Sequence, residues 1–230
     1  MAYSTPRNAR DYLFAAALGV CHQYVLTFQR LALADKKRLL ELTREIDLCA
    51  KLAEFFGPNA YLAAQGTSAI DLKVKGPTLQ AEVKYFRPPA GQWTAIRDDW
   101  DWLIDMSNSN DNFDKNAWIV FFPSTSVYKF TKCLTVSKTN GTQFNLSDYA
   151  PFSPFVDPVV PPTGVNEQLK FKNPEQTTVL AIHGGKKVRV DVVSKNTHPI
   201  WCAIYTRITP AHATELQNGG VTRIDLPQNA

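Results

Sequence analysis

The sequence predicts a mixed α/β (α+β) fold: helices first, then a β-meander, a further helix and a central strand. Three observations carry this expectation. Residues 9–33 and 36–56 are rich in Ala and Leu and space their apolar residues as helices do. The stretch from Ala69 to Tyr85, "AIDLKVKGPTLQAEVKY", alternates apolar and polar residues on both sides of Gly76-Pro77, the pattern of two half-buried strands. Ala117 to Pro123, "AWIVFFP", is continuously apolar, as expected of a strand buried on both faces at a sheet centre.

Taken in order, Ala9 to Leu33 reads as one helix, and Asp35 marks a break. Lys36 to Phe56 reads as a second helix, with Leu39, Leu42, Ile46, Cys49, Leu52 and Phe56 as its apolar stripe and Gly57-Pro58 as its stop. Tyr61 to Ala64 is a short strand candidate, and Gln65 to Ser68 a loop into the hairpin. Thr94 to Met106 is a third helix; its Trp100 and Trp102 cannot both face one core. "MSNSNDNFDKN" lacks the Gly and closing Glu of a calcium loop and reads as solvated coil. "VYKF" and "CLTVSKTNGTQFNL" suggest strands around an Asn140-Gly141 turn. Five prolines from Pro151 to Pro162 read as an extended linker. Val179 to Ile182 and Lys187 to Val193 flank Gly184-Gly185 as a hairpin. Ile200 to Ile208 adds a strand, and Thr209-Pro210 caps a short helix. The chain thus divides into an N-terminal helix (1–35), a core (36–150), a Pro-rich linker (151–164) and a β-rich C-terminal unit (165–230).

Composition excludes several classes. At 230 residues, with 44% hydrophobic and 20% charged residues, the chain buries a sizeable core and is no disordered tail. Cys21, Cys49, Cys133 and Cys202 form no C-x-x-C pair, and the four histidines show no ligand spacing, which argues against zinc and fits a reducing cytoplasm. "YLFAAALGVC" is too short for a membrane span, and helical periodicity continues beyond it, so we expect no membrane partner.

The hairpin carries the chemistry. Centred on Gly76-Pro77, it sets Lys73 opposite Gln80 and Asp71 opposite Glu82, with Lys84 on the same face. Directly opposed carboxylates destabilise a strand pair unless a proton or a cation lies between them. A divalent cation with hard oxygen ligands suits such a pair. Five Lys/Arg residues between Ser68 and Arg97, against Asp71 and Glu82, suit a polyanion approaching it.

Asp71 followed by Glu82-Val83-Lys84 resembles the motif of the PD-(D/E)xK nuclease superfamily, over roughly residues 39–124. Ile70 stands where that family often has Pro. The resemblance implies a restriction-endonuclease-like mixed sheet flanked by helices. It implies a nuclease that hydrolyses phosphodiester bonds of DNA with Mg2+, or Mn2+ as a substitute. Asp71, Glu82 and the carbonyl of Val83 would hold the metal, and Lys84 would serve the reacting water or phosphate. A Glu on the preceding helix is a further catalytic candidate; Glu45 is favoured over Glu41 and Glu54, because it lies at the edge of the apolar stripe. Ser68 and Gln92 are candidate substrate contacts. For residues 165–230 three roles stand open: packing on the core, binding DNA, or pairing into a homodimer. The rival reading is a non-catalytic nucleic-acid-binding or assembly protein on the same fold.

Overall fold

The computed structural model describes residues 9–62, 70–74, 79–85, 99–100, 102–104, 115–123, 136–137, 143–144, 177–193 and 197–225. Helices α1 (Ala9–Gln29), α2 (Leu33–Leu42) and α3 (Glu45–Phe56) lead, through a 3-10 turn at Gly57–Asn59, into the strands β1 (Ala60–Leu62), β2 (Leu72–Val74) and β3 (Leu79–Tyr85). Residues 99–100 and 102–104 are helical. Then come β4 (Asn116–Pro123), the short pair β5 (Val136–Ser137) and β6 (Gln143–Phe144), and β7 (Thr177–His183), β8 (Lys186–Val192) and β9 (Ile200–Arg207). Helix α4 (Pro210–Asn218) and β10 (Thr222–Asp225) close the order. Eight strands form one mixed sheet in the order β1-β2-β3-β4-β9-β8-β7-β10. The β3–β4 and β7–β10 pairs are parallel, the others antiparallel.

The hairpin register is the expected one. Lys73 pairs with Gln80 and Leu72 with Ala81, so Asp71 and Glu82 come next. The turn itself lies outside the described residues, as do the Gln65 to Ser68 loop, Gln92, the coil after Met106, the Asn140-Gly141 turn and the Pro-rich segment. Strand β4 takes an inner position in the sheet, and Ala117 to Phe121 are each at most 1% exposed. Gly184 and Gly185, with φ of 54° and 77°, supply the left-handed pair that a two-residue hairpin requires between β7 and β8.

The helices before the hairpin correct the sequence reading. The first helix ends at Gln29, not Leu33, and Asp35 sits in the first turn of α2. The expected single helix 36–56 is two helices, broken at Thr43-Arg44. Thr43 Oγ1 donates to the Leu39 carbonyl (2.9 Å) and lies 3.2 Å from the Tyr24 hydroxyl of α1. Arg44 is extended, and its amide donates to Asp47 Oδ2 (3.0 Å), a carboxylate placed to start a new helix. The break re-phases the apolar stripe. Leu42 and Ile46, expected inside, are each 55% exposed, whereas Leu48, Cys49 and Leu52 are buried.

The core lies on both faces of the sheet. On one, Leu13, Ala17 and Val20 of α1 and Leu48 and Leu52 of α3 meet Leu72, Val83, Ile119 and Ile204. Gly19 lets α1 approach closely, because a Cβ there would overlap the Phe55 ring of α3. On the other, Trp100 packs against Trp118 and Tyr205, with ring centroids 6.2 and 6.0 Å away. Trp100 is fully buried and Trp102 half-buried, so the two tryptophans do part company. The strands of the C-terminal segment extend this same sheet. β9 runs beside β4 from Ala117↔Thr206 to Pro123↔Ile200, which satisfies the second edge of a strand buried on both faces. Among the described residues no helix is long and apolar enough to cross a membrane.

If Asp47 holds the break between α2 and α3, Asp47→Ala lowers the unfolding free energy by about 1 kcal/mol in chemical denaturation, as loss of a helix-starting carboxylate does. An unchanged denaturation midpoint would assign the break to Thr43 alone.

Candidate active site

The site forms where β3 outruns its neighbour. β2 covers β3 only from Leu79 to Ala81, while β4 accompanies it from Gln80 to Tyr85. The amide of Gln80 points toward β4, donating to the Lys115 carbonyl at 2.8 Å, so the amides of Val83 and Tyr85 point to the uncovered edge. Buried N–H groups need acceptors. Two carboxylates supply them. Asp71 Oδ2 accepts from the Val83 amide at 2.9 Å, and Glu45 Oε1 from the Tyr85 amide at 3.3 Å. The Tyr85 side chain, on the core face, donates its hydroxyl to the Leu40 carbonyl (2.8 Å), tying the strand end to α2.

Glu82 and Lys84 project from the opposite face of β3, half-buried. Burial, the charge of Asp71 and a hydrogen bond shared with Asp71 push the Glu82 carboxyl from its ordinary 4.5 up to about 8. Asp99 adds to this rise, and Lys84 opposes it. Near neutral pH the Glu82 carboxyl therefore favours its protonated form. The Lys84 amine lies 3.4 Å from Asp99 Oδ2 and 3.5 Å from Glu45 Oε2. Burial lowers the pKa of this amine, but the charges of Asp99 and Glu45 outweigh it, and the net shift is upward. Asp99 is pushed up to about 6 by burial, against the pull of Lys84 and of a hydrogen bond from Trp118.

Four of the residues singled out in the sequence thus meet: Asp71, Glu82, Lys84 and Glu45. Val83 enters through its amide. Glu41 and Glu54 are exposed on their helices. Ser68 and Gln92 lie outside the described residues. Asp99 was missed; its signal was the acidic run Asp98-Asp99-Trp100-Asp101 on the third helix, three carboxylates around one apolar anchor. Trp118 was read only as core, although it pairs in register with Glu82 and its indole Nε1 donates to Asp99 Oδ2 at 3.2 Å. Burial, and then the charges of Asp71, Glu45 and Glu82, push the Cys49 thiol well above its ordinary value, which disfavours the thiolate.

Among the described residues no group of three or more His, Cys, Asp or Glu side chains is arranged to hold a metal ion. The Asp71–Glu82 pair nonetheless fits a divalent cation in its donor chemistry. It offers oxygen alone, half-buried, from two carboxylates that the hairpin register brings together.

The proton held by Glu82 has a thermodynamic consequence. Its folded pKa lies above its unfolded value, so the folded state binds the proton more tightly. That stabilisation is fully present below about pH 4.5 and is lost as pH rises through about 8. Glu82→Gln keeps the neutral shape and removes this titration. In denaturant melts from pH 5 to 9, wild type should lose stability relative to Glu82→Gln; parallel profiles would mean that the Glu82 carboxyl is not raised in the folded state. No family model matches this chain, and no curated protein or solved structure matches it, so the functional reading rests on this geometry.

Proposed function

We propose that the chain is a divalent-metal-dependent nuclease acting on DNA, of restriction-endonuclease-like fold, working in the cytoplasm. One observation carries the reading: the hairpin register brings the Asp71 and Glu82 carboxylates together, with Lys84 two residues further along the same strand face. The order helix, three strands, helical residues 99–100 and 102–104, and a strand supports it, since this is a mixed sheet flanked by helices as the resemblance implies.

Asp71 and Glu82, with the Val83 carbonyl, would hold Mg2+ or Mn2+. Such an ion supplies Lewis-acid polarisation of a phosphate and acidifies a bound water. The Val83 amide fixes the orientation of the Asp71 carboxylate, so this acid is set before any ligand arrives. The Lys84 ammonium stays charged at neutral pH between its carboxylate partners, suited to steadying charge that builds on a phosphate oxygen. Glu45 holds the amine from the α3 side.

Digestion of plasmid, single-stranded DNA and RNA with magnesium, manganese or EDTA tests the activity. Wild type should cut DNA only with metal. Asp71→Ala, Glu82→Ala and Lys84→Ala should each lose nearly all cleavage while remaining folded, and combined variants should lose little more, because the groups act as a unit. DNA binding without cleavage would move the chain to the non-catalytic class.

Metal binding is measurable without turnover. At a hundredfold excess over its dissociation constant, manganese should stabilise wild type by about 2.7 kcal/mol. Asp71→Ala should show almost none of this shift in thermal melts. An equal shift in both proteins would locate the ion elsewhere.

A further inference from the structure

We propose that Asp99 is a positioning residue of this site: it fixes the Lys84 amine, and it is the stronger of the two carboxylates that do so. The proposal rests on the nuclease reading. A lysine stem has four rotatable bonds and little intrinsic preference for one placement of its amine. Something must hold it for the amine to act on a developing charge. Among the described residues the partners within reach are Glu45 Oε2 at 3.5 Å and Asp99 Oδ2 at 3.4 Å.

The two differ in anchorage. The Glu45 side chain is 38% exposed and that of Asp99 17%, so water screens the Glu45 arm more. Asp99 is also pinned from behind, because the same Oδ2 accepts the Trp118 indole N–H. Trp118 is fully buried and packs against Tyr205 with ring centroids 4.9 Å apart. Were Asp99 to rotate away, this buried N–H would lose its acceptor, and a buried donor left without one is unfavourable. Trp100, the next residue along, is itself fully buried and holds the helical turn in place. Trp118 pairs in register with Glu82, so the anchor of the amine and the paired acids share one pair of strands. The chain Trp118–Asp99–Lys84 thus runs from the rigid core to the amine.

A packing role and a positioning role separate by charge. Asp99→Asn is isosteric and keeps an acceptor for Trp118 but carries no charge; Asp99→Glu keeps the charge in a longer side chain. With a fluorescent DNA duplex and magnesium, Asp99→Asn should lower kcat about ten- to a hundredfold, the range for groups that orient a reacting residue, with KM unchanged. Asp99→Glu should retain more activity than Asp99→Asn, and Glu45→Gln should lose less than Asp99→Asn. Against the residual single-turnover rate of Lys84→Ala, adding Asp99→Asn should cost nothing further. Wild-type rates for Asp99→Asn, or the same loss with and without Lys84, would overturn the positioning role and leave the nuclease reading intact. Absence of metal-dependent cleavage by wild type would overturn both.

Discussion

Everything at the site follows from burying Glu82 beside Asp71. Opposed carboxylates repel, and the simplest relief would be to turn one strand over. The register forbids it. Leu79, Ala81, Val83 and Tyr85 are each at most 2% exposed on the other face of β3. A slip of one residue would exchange them for Gln80, Glu82 and Lys84 and drive those charges into the core beneath α1 and α3. The apolar face therefore fixes the charged one. Relief comes locally instead, from the Val83 amide on Asp71, a proton on Glu82, and Lys84 nearby. In the proposed function a divalent cation would offset the same repulsion.

The opposite side of the sheet supplies rigidity. β4 carries Ile119 and Phe121 into the core under α1 and α3, and Trp118 into the aromatic cluster with Trp100 and Tyr205. Its second edge is closed by β9 over its full length. A short isolated strand pair would twist and fray; a strand paired on both sides and packed on both faces does not. The C-terminal strands thus bear on the site without touching it, by holding β4, and through Trp118 the acidic partner of Lys84, in register with Glu82.

Much of this was legible in the sequence. The hairpin register, and with it the meeting of Asp71 and Glu82, followed from strict alternation around Gly76-Pro77. The burial of β4 followed from its unbroken apolar run. Glu45, favoured over Glu41 for its place at the edge of the apolar stripe, does lie beside Lys84, although Leu42 of that stripe is exposed. The helix break escaped detection because Thr43, Arg44 and Asp47 are ordinary helix-surface residues by composition. Only the hydrogen bonds of Thr43 to Leu39 and of Asp47 back to Arg44 reveal a boundary. Asp99 escaped for a different reason. Its role depends on Trp118, a contact across 19 residues that no local pattern encodes. Sheet order beyond β4 was equally hidden, since pairing of β9 with β4 is a long-range choice.

The helix break and the short β2 strand then answer one another. Because β2 stops at Leu72, the amides of Val83 and Tyr85 lack a strand partner on that edge. Because α3 starts afresh after Arg44, Glu45 is its first residue, where a carboxylate also benefits from the exposed N–H groups of the helix end. In the continuous helix expected from the sequence, Glu45 would sit mid-helix with no such end beside it. The break gives the side chain two reasons to stay ordered, one from its own helix and one from the Tyr85 amide. Its second oxygen remains directed at Lys84. Where the strand and the helix both stop, the Val83 and Tyr85 amides turn to Asp71 and Glu45 in place of a neighbouring strand. The backbone's need for acceptors is thus what brings these acids to one place.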